Sequence, residues 1–427
     1  MRGFRGRAEV ADVLAMVDEL TAPLAAEQVK VTACAGRVLA RDLIAPLDIP
    51  GFDRSAMDGF AVIAEETFGA GSGNPLPFEL VGESRAGHGW DGRLQKGQAV
   101  RIMTGAPLPA GADAVVPAEV AWLAEGNSQE EAAGRDGNTV QVIEAVTPGK
   151  HVSRRGEDVR RGDSLLAAGR QLRPQDAGLL ATLGVAPVAV VRRPTVSLIT
   201  TGDELLPPGE TPHGAAIVDS NSVALTALVA RDAGVLIDFR RIPDGAEVTL
   251  EALTEARGEV ILVSGGSSVG LEDHAPRIVG EIGTLEVHGI AMRPSSPTGI
   301  GLLDGLDRSE RPRPVFLLPG NPVSSLCAYD FFAGRAIRRL GGLPARWPYP
   351  RRRLPLNRKV VSVPGRVDYM RVRVTDDQAE PMTAAGAAVG SSPVRADGFV
   401  VVPRDAEGYA AGETVTVFLY DAPFHQP

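Results

Sequence analysis

The clearest pattern in the chain is a regular alternation of short apolar runs and amphipathic stretches that begins at Pro194. Short apolar runs rich in β-branched residues are typical of buried strands, and apolar positions at a spacing of three or four are typical of helices. The predicted strands are Thr195–Ile199, Val235–Ile242, Val260–Val263, Leu285–His288 and Val315–Leu318. The predicted helices are Asp219–Asp232, Thr249–Ala256, Arg277–Ile282 and Pro322 to about Leu340. This alternation predicts a doubly wound, mainly parallel sheet that binds ligands at the carboxyl ends of its strands.

The rest of the chain predicts further cores, as expected for 427 residues. Apolar residues at helical spacing predict an N-terminal helix from Val10 to Leu20, which Pro23 ends. Short β-like runs between glycine-rich turns predict a small β-rich domain from Phe78 to about Val146. A helix is expected at Pro174–Gly184. Beyond the linker Pro344–Pro355, three β-like runs predict a small barrel or sandwich: Arg371–Val374, Phe399–Val402 and Thr414–Leu419.

Composition excludes several classes of function. A formal net charge of −9 and a pI near 5.4 argue against a nucleic-acid partner held by a general basic field. The two cysteines, Cys34 and Cys327, and six scattered histidines contain no spacing typical of a zinc, iron–sulfur or redox site. The N-terminus lacks the apolar core of a signal peptide, and no apolar run is long enough to span a bilayer. We therefore expect a cytoplasmic protein with no membrane partner.

Two glycine- and serine-rich turns follow buried strands. The segment Glu259–Asp273, EVILVSGGSSVGLED, passes from apolar residues into Ser264, Gly265 and Gly266, and Leu317–Ser325, LLPGNPVSS, does the same before a helix. A strand that leads into such a turn and then a helix presents backbone N–H groups to an anion. Either turn alone is also compatible with a tight strand-to-helix connection. Two in one α/β unit favour a phosphate- or oxyanion-binding crevice.

Acidic residues cluster at the predicted strand ends, in Thr200–Glu204, at Asp244 and at Asp273. Carboxylates that meet in one crevice repel each other unless they share a cation, and oxygen ligands favour Mg²⁺. Glu204 is equally acceptable as an ordinary residue at a helix start. Elsewhere, Asp48, Asp53 and Asp58 recur every five residues in an irregular segment, and six charges crowd Arg154–Arg161; both are candidate sites or solvated turns.

Seven segments together resemble one family. They are DIPGFDRSAMDGFAV, VRIMTGAPLPAGADAVVP, RRGED, LITTGDEL, VDSNS, SGGSSVG and LPGNPVSS. In residues and in order they resemble the motifs of the molybdopterin molybdenumtransferases. That family includes MoeA-type bacterial enzymes, the gephyrin E domain and the plant molybdenum insertase. The similarity runs from about residue 8 to the C-terminus.

The resemblance implies a multidomain fold of the α/β plus β class: a doubly wound molybdopterin-binding α/β domain, β-rich inserted domains and a C-terminal small β-barrel. The implied domains are 1–46 with 147–173 (N-terminal helix and β-hairpin linker), 47–146 (β-rich insertion), 174–343 (α/β) and 344–427 (barrel). It also implies a homodimer and a transferase reaction. Adenylylated molybdopterin and molybdate would give molybdenum cofactor and AMP with the help of Mg²⁺.

Site residues are carried over by matching motifs. The resemblance implies catalytic roles for Asp58, Thr104, Asp158, Glu204 and Asp273, with Asp58 and Thr104 reaching the site of the partner subunit, and a metal at Glu204, Asp244 and Asp273. The implied pterin- and phosphate-binding residues are Thr201, Gly202, Ser220, Asn221, Ser264, Gly265, Gly266, Ser268, Gly270, Pro319, Gly320, Asn321, Pro322 and Ser324. The implied molybdate-binding residues are Arg293, Ser296, Arg371, Ser391 and Ser392.

One segment departs from the family. Where the family usually has Met-Lys-Pro-Gly-Lys-Pro, this chain has Met292–Pro297, MRPSSP, so that Arg293 keeps the first charge and Ser296 replaces the second lysine. A charge about 4 Å from an anion is worth up to several kcal/mol at an effective dielectric of about 20. Loss of the lysine therefore lowers the expected molybdate affinity about a hundredfold or more unless another residue compensates.

Two hypotheses for function follow. The first is an active molybdenum insertase. The second is a non-catalytic paralogue that binds molybdopterin or its cofactor for delivery or as a scaffold. The MRPSSP segment favours the second, and retention of the metal and phosphate residues favours the first. Expected protein partners are a molybdopterin adenylyltransferase and molybdoenzymes or their chaperones.

Overall fold

The computed structural model describes residues 6–124, 138–266, 273–306, 311–382 and 391–421. The chain divides into two compact units. We call Met1–Val29, Gly36–Ala40 and Ala189–Pro427 the α/β unit, and Lys30–Ala35 and Arg41–Val188 the β unit. No helix in the described ranges is both long and apolar enough to cross a membrane.

The β unit is built on a six-stranded sheet, which confirms the β-rich prediction for this part of the chain. Apolar residues of its strands alternate between two cores, so that Phe60 and Val62 lie on one face and Ala61 lies on the other. Its strands in spatial order are Ala114–Pro117, Gly59–Val62, Gln98–Ile102, Leu76–Ser84, Thr139–Val142 and Ala121–Leu123.

Shorter elements complete the β unit. Two antiparallel ribbons pair Leu43–Ile44 with Ser164–Leu166 and Arg54–Ser55 with Val152–Ser153. The predicted helix is present as Pro174–Thr182, and the Asp176 carboxylate accepts the backbone N–H of Arg173 at its start. In its described residues, 3₁₀ turns occur at Val31–Ala33, Ala64–Thr67 and Ala118–Val120.

The α/β unit holds the predicted sheet. Its first four strands in spatial order are parallel: Val235–Ile242, Thr195–Thr201, Val260–Ser264 and Arg313–Leu318. Two antiparallel strands extend it, Gly299–Leu303 and Gly283–His288. The strand Gly299–Leu303 was not predicted, because two glycines interrupt its apolar run. They are required by packing, since a Cβ at Gly301 would lie 2.3 Å from Val279.

Helices cover both faces of this sheet, as the doubly wound prediction requires. Val260 and Leu262 pack into one core, and Ile261 and Val263 pack into the other. The helices are Val10–Leu20, Ser220–Arg231, Ala246–Glu255, Ala275–Ile282, Pro322–Ala328 and Gly334–Leu340, and the last two are joined by a π turn at Tyr329–Ala333. The predicted helix from Pro322 to about Leu340 is therefore present but interrupted.

The N-terminal helix Val10–Leu20 buries Val10, Val13 and Val17 in a core of the α/β unit. Its Asp18 carboxylate forms ion pairs with Arg335 at 2.6 Å and Arg339 at 3.3 Å. The strand Ala26–Val29 then pairs with Val188–Val191. The division into four domains stays a prediction.

The C-terminal part of the α/β unit forms a second six-stranded sheet, mostly antiparallel. Its strands in spatial order are Met292–Arg293, Val367–Thr375, Gly398–Val402, Thr414–Leu419 and Arg351–Pro355, with Gln378–Pro381 beside Val367–Thr375. A ribbon pairs Val360–Val361 with Gly408–Tyr409, and Ser391–Val394 is a short helix. The predicted β-structure is confirmed, whereas closure into a barrel stays a prediction.

Candidate functional site

The turn after Val260–Ser264 lies at the carboxyl ends of three adjacent parallel strands. Gly265 has φ +98° and Gly266 has φ +56°, conformations that suit glycine. A Cβ at Gly265 would lie 2.4 Å from the Thr201 carbonyl oxygen, and a Cβ at Gly320 would lie 3.6 Å from the Gly265 Cα. The two glycine-rich turns recognised in the sequence are therefore neighbours, as predicted.

Asn221 ties these turns together. Its Nδ2 donates to the Ser264 hydroxyl at 2.9 Å and to the Gly320 carbonyl at 2.8 Å. Asn221 lies in the first turn of Ser220–Arg231, where Asp219 caps the helix by accepting the Ser222 N–H at 2.9 Å. The other Asp219 oxygen accepts from the Thr200 hydroxyl at 2.9 Å. A strand end, a helix start and two turns are thus fixed to one another around one edge of the sheet.

Carboxylates line the neighbouring strand end. The Thr201 hydroxyl donates to one Asp244 oxygen at 2.7 Å, and the Asp203 N–H donates to the other at 3.3 Å. The Asp244 N–H donates to Asp203 at 3.0 Å in return. Glu204 is exposed, and its side chain folds back over Gly202. The two are so close that a Cβ at Gly202 would lie 2.6 Å from the Glu204 carboxylate. Asp203 was not among the predicted site residues, although it stands directly before Glu204.

The predicted metal residues are only partly gathered. Within the described ranges, no three His, Cys, Asp or Glu side chains are grouped closely enough to hold a metal ion. Magnesium is commonly held by one or two carboxylates together with substrate phosphates and water. Asp203 and Asp244, each of which accepts the backbone N–H of the other, suit that mode. Asp273 is half-buried just before the helix Ala275–Ile282, and Ser268 and Gly270 lie outside the described residues.

Arg293 does not present a free charge. Its guanidinium donates to the buried Asp368 carboxylate at 2.6 Å. Asp368 also accepts from the Ser362 hydroxyl at 2.8 Å and forms an ion pair with Arg366 at 3.1 Å. Arg293 and Arg366 thus share a buried carboxylate that the sequence pattern did not reveal, and a role of Arg293 in molybdate binding stays a prediction.

Of the two serines that replace the Gly-Lys pair, Ser295 is buried and Ser296 is half-buried. Ser295 has φ +82°, a conformation that glycine adopts without strain, and its hydroxyl donates to the Ser324 carbonyl. The Ser296 hydroxyl is buried and has no hydrogen-bond partner among the described residues. The same holds for the Ser325 hydroxyl within those ranges. Because buried hydroxyls are normally paired, this region has spare donors that suit an oxyanion.

Arg371 and Ser392 lie together, as predicted. Arg371 lies on Val367–Thr375, is 9% exposed, and donates to the buried Ser392 hydroxyl. Burial raises the pKa of the Cys327 thiol, and the Ser295 hydroxyl and the positive charge of Arg371 oppose that rise. Ser391 is exposed at the start of its short helix.

The start of the helix Pro322–Ala328 follows the second turn. Pro319, Gly320 and Asn321 form the turn, and Pro322 takes the first helical position, where its missing N–H is not needed. Ser324 and Ser325 follow and are both buried. The sequence pattern indicated the Ser324 and Ser325 hydroxyls at this helix start, whereas it gave no signal for the buried Cys327 further along the same helix.

In the β unit, Asp58 and Thr104 are partners. Asp58 accepts the Thr104 N–H at 2.6 Å and the Thr104 hydroxyl at 2.8 Å. Both bonds lower the pKa of Asp58, and the bond from the backbone N–H has the larger effect. The structure brings the two predicted residues together and keeps the carboxylate ionised at neutral pH.

The charged segment near Asp158 is largely paired. Arg155 donates to Asp48 at 2.7 Å, and Arg154 donates to Asp53 at 2.9 Å. Asp158 itself is exposed, and its N–H donates to the Ile49 carbonyl at 3.0 Å. Asp48 and Asp53 therefore hold this turn in place, which favours a structural role for them over a binding site.

A doubly wound α/β domain with two glycine-rich turns at its strand ends, followed by a mostly antiparallel sheet, defines a multidomain α/β protein whose strand-end turns suit an anion. Three family models match the chain. The MoeA N-terminal region (domain I and II) matches residues 8–184, the "probable molybdopterin binding domain" matches 197–339, and the MoeA C-terminal region (domain IV) matches 353–420.

Relatives that match nearly the whole chain have names of the same family as these models. Molybdopterin molybdenumtransferase 2 of Mycobacterium tuberculosis is 34% identical over 425 residues, covering 96% of this chain and 97% of the relative. Molybdopterin molybdenumtransferase of Haemophilus influenzae is 30% identical over 410 residues, covering 94% and 96%. The crystal structure of a molybdopterin biosynthesis MoeA protein from Pyrococcus horikoshii is 32% identical, with a TM-score of 0.79, and covers 98% and 100%. This chain belongs to the molybdopterin molybdenumtransferase family.

Proposed function

We propose that this protein is a molybdopterin molybdenumtransferase of molybdenum cofactor biosynthesis that inserts molybdate into adenylylated molybdopterin and releases AMP. The observation that carries the proposal is the convergence of Thr201, Gly265 and Gly320 at one sheet edge. Backbone groups at such an edge suit phosphate. The names of the full-length relatives agree with the insertase hypothesis and do not favour the non-catalytic paralogue.

We further propose that Glu204, Asp244 and Asp273 hold Mg²⁺ at the pyrophosphate of the substrate. When bound, Mg²⁺ would neutralise phosphate charge and polarise the bond that releases AMP. The residues of the chain have their own tasks. Thr201 orients Asp244 through its hydroxyl, and Asp203 holds the Asp244 backbone.

For molybdate, we propose a pocket formed by Arg371, Ser392 and Ser296. Arg371 supplies the positive charge, and the unpartnered Ser296 hydroxyl supplies a donor within the described region. Arg293 contributes less than the family pattern implies, because its guanidinium is held by Asp368, a carboxylate that it shares with Arg366. Ser391 stands at the mouth of this pocket in the proposal.

We propose a homodimer in which Asp58, Thr104 and Asp158 act at the site of the partner subunit. The fixed Asp58–Thr104 pair suits this role, because an ionised carboxylate held by two hydrogen bonds is preorganised. A molybdopterin adenylyltransferase would supply the substrate, and molybdoenzymes or their chaperones would receive the product.

The test is a reaction of the purified protein with adenylylated molybdopterin, Mg²⁺ and molybdate, followed by AMP release and cofactor formation. We expect AMP release to depend on both molybdate and Mg²⁺, and to fall in Arg371→Gln. Tight pterin binding without AMP release would contradict the insertase proposal and support the paralogue. Omission of Mg²⁺ without effect would contradict the metal proposal alone.

A further inference from the structure

The interrupted helix from Pro322 to Leu340 contacts the C-terminal sheet through hydrogen bonds as well as through apolar packing. We call this contact the joint, and it consists of Asp330, Phe331, Trp347, Tyr349 and Tyr369. Asp330 and Phe331 lie in the π turn Tyr329–Ala333. A π turn interrupts the regular helical ladder, and such turns are frequent at functional sites. Here the Asp330 carbonyl accepts the Trp347 indole N–H at 2.9 Å.

The Asp330 side chain makes a second connection at the joint. It is 3% exposed and accepts from the Arg231 guanidinium at 2.9 Å and from the Tyr349 hydroxyl at 2.9 Å. Burial lowers the pKa of Arg231, but the charges of Asp330 and Asp232 outweigh it and raise that pKa. A buried carboxylate requires such partners. The bonds from Trp347 and Tyr349 to Asp330 thus tie the segment before Arg351–Pro355 to the helix.

Aromatic rings fill the rest of the joint. The Phe331 ring lies 4.8 Å from the Trp347 ring in an edge arrangement, and 6.4 Å from the Tyr369 ring. The Tyr369 ring stacks on Phe399 at 4.2 Å, and Trp347 meets the edge of Phe399 at 5.4 Å. Rings in these arrangements have restricted orientations. The strand that carries Tyr369 therefore has a fixed position against the helix.

The same strand carries Arg371, two residues further on. Side chains two apart on a strand lie on one face about 6.7 Å apart. Tyr369 meets Phe331 through their rings, and Arg371 is buried on the same face of the strand as Tyr369. The strand is thus held against the helix at Tyr369, two residues before Arg371. Movement of Tyr369 would therefore move Arg371.

We propose that Trp347 and Tyr349 are positioning residues for Arg371 in the molybdate pocket. They act through the π turn and Tyr369, and they do not touch the anion. This inference rests on the proposed role of Arg371 in molybdate binding. It extends that role by placing control of anion affinity in the contact between the helix and the C-terminal sheet.

Two variants test it in the full-length protein. Trp347→Phe removes the indole N–H and keeps an aromatic ring, and Tyr349→Phe removes one hydroxyl. The matched control is Tyr409→Phe, which removes a hydroxyl that donates to Val401 at 3.0 Å in the same C-terminal region. Molybdate binding is measured by equilibrium dialysis. Steady-state AMP release gives KM and kcat for each substrate, and thermal unfolding gives stability.

We expect Trp347→Phe and Tyr349→Phe to raise the molybdate Kd and KM about three- to tenfold, the effect of one hydrogen bond, with little change in the KM for pterin. Tyr409→Phe should change only thermal stability. If Arg371→Gln abolishes molybdate binding while both joint variants bind normally, the joint is only structural and the inference is wrong. If both substrate KM values rise together with falling stability, it is also wrong. If Arg371→Gln itself binds molybdate normally, the proposed pocket fails as well.

Discussion

The closest backbone approach at the candidate site allows a quantitative prediction for Gly265→Ala. A Cβ at this position would lie 2.4 Å from the Thr201 carbonyl oxygen, whereas real Cβ contacts stay above 3.0 Å. The turn and the strand end must therefore separate by roughly 0.6 Å, and a 1 Å displacement near reacting groups costs about a hundredfold in rate. We expect kcat/KM for the pterin substrate to fall about ten- to a hundredfold.

Backbone strain must be separated from this displacement. Gly265 has φ +98°, so alanine there also carries a conformational cost of about 1 kcal/mol. Gly209 provides the control, because it has φ +96° and a Cβ there would have no atom within 4 Å. Gly209→Ala should lose similar intrinsic stability but keep its activity.

The assay is AMP release at varied pterin concentration, with thermal unfolding of both variants measured in parallel. Gly265→Ala should show a much lower kcat/KM than Gly209→Ala. Equal kcat/KM values for the two variants would refute the reasoning. The approach of Gly265 to Thr201 would then serve folding only, and the substrate phosphates would bind elsewhere.

Three further predictions concern single charges. Ser296→Lys should lower the molybdate Kd tenfold or more, because a charge about 4 Å from the anion is worth several kcal/mol; unchanged dialysis isotherms would contradict this. Hydrogen bonds and an ion pair with Arg173 lower the pKa of Asp176 and stabilise its ionised form. We therefore expect the Asp176→Asn variant to lose about 2 kcal/mol of unfolding free energy, measured with urea at pH 7. The difference should shrink as the pH falls below about 3.9, because the carboxylate of the unfolded chain is protonated there, whereas the native one, with its lowered pKa, stays ionised to lower pH. Mixing Asp58→Asn with Glu204→Gln subunits should restore AMP release if Asp58 acts across a dimer, whereas a site within one chain would stay inactive.

Much of the α/β unit was predictable from the sequence. The strands Thr195–Thr201 and Val260–Ser264 are present near their predicted bounds, because uninterrupted apolar runs favour burial on both faces. Asp219, the predicted start of the helix Asp219–Asp232, accepts the Ser222 N–H and caps the observed helix, as aspartate commonly does at this position. The neighbouring positions of the two turns also followed, since parallel strands end at one edge. Local pattern and burial point the same way in each case.

Other features required the tertiary structure. The strand Gly299–Leu303 depends on glycines that only close packing explains. The π turn has no local signal, and its role becomes visible only when Trp347 bonds to Asp330. Likewise, the sequence shows that Arg154 and Arg155 are charged, but the fold shows which aspartates neutralise them. Pairing between residues about a hundred positions apart leaves no trace in local spacing.

The sequence by itself determined the family, the alternation of strands and helices, and the position of the two glycine-rich turns, because these depend on local residue types and their spacing. The tertiary structure decided which of the expected charges are available to a ligand. Arg293 is committed to a buried Asp368, whereas Ser296 keeps a buried hydroxyl unpartnered among the described residues. Such availability depends on burial and on long-range partners, which only the folded chain brings together.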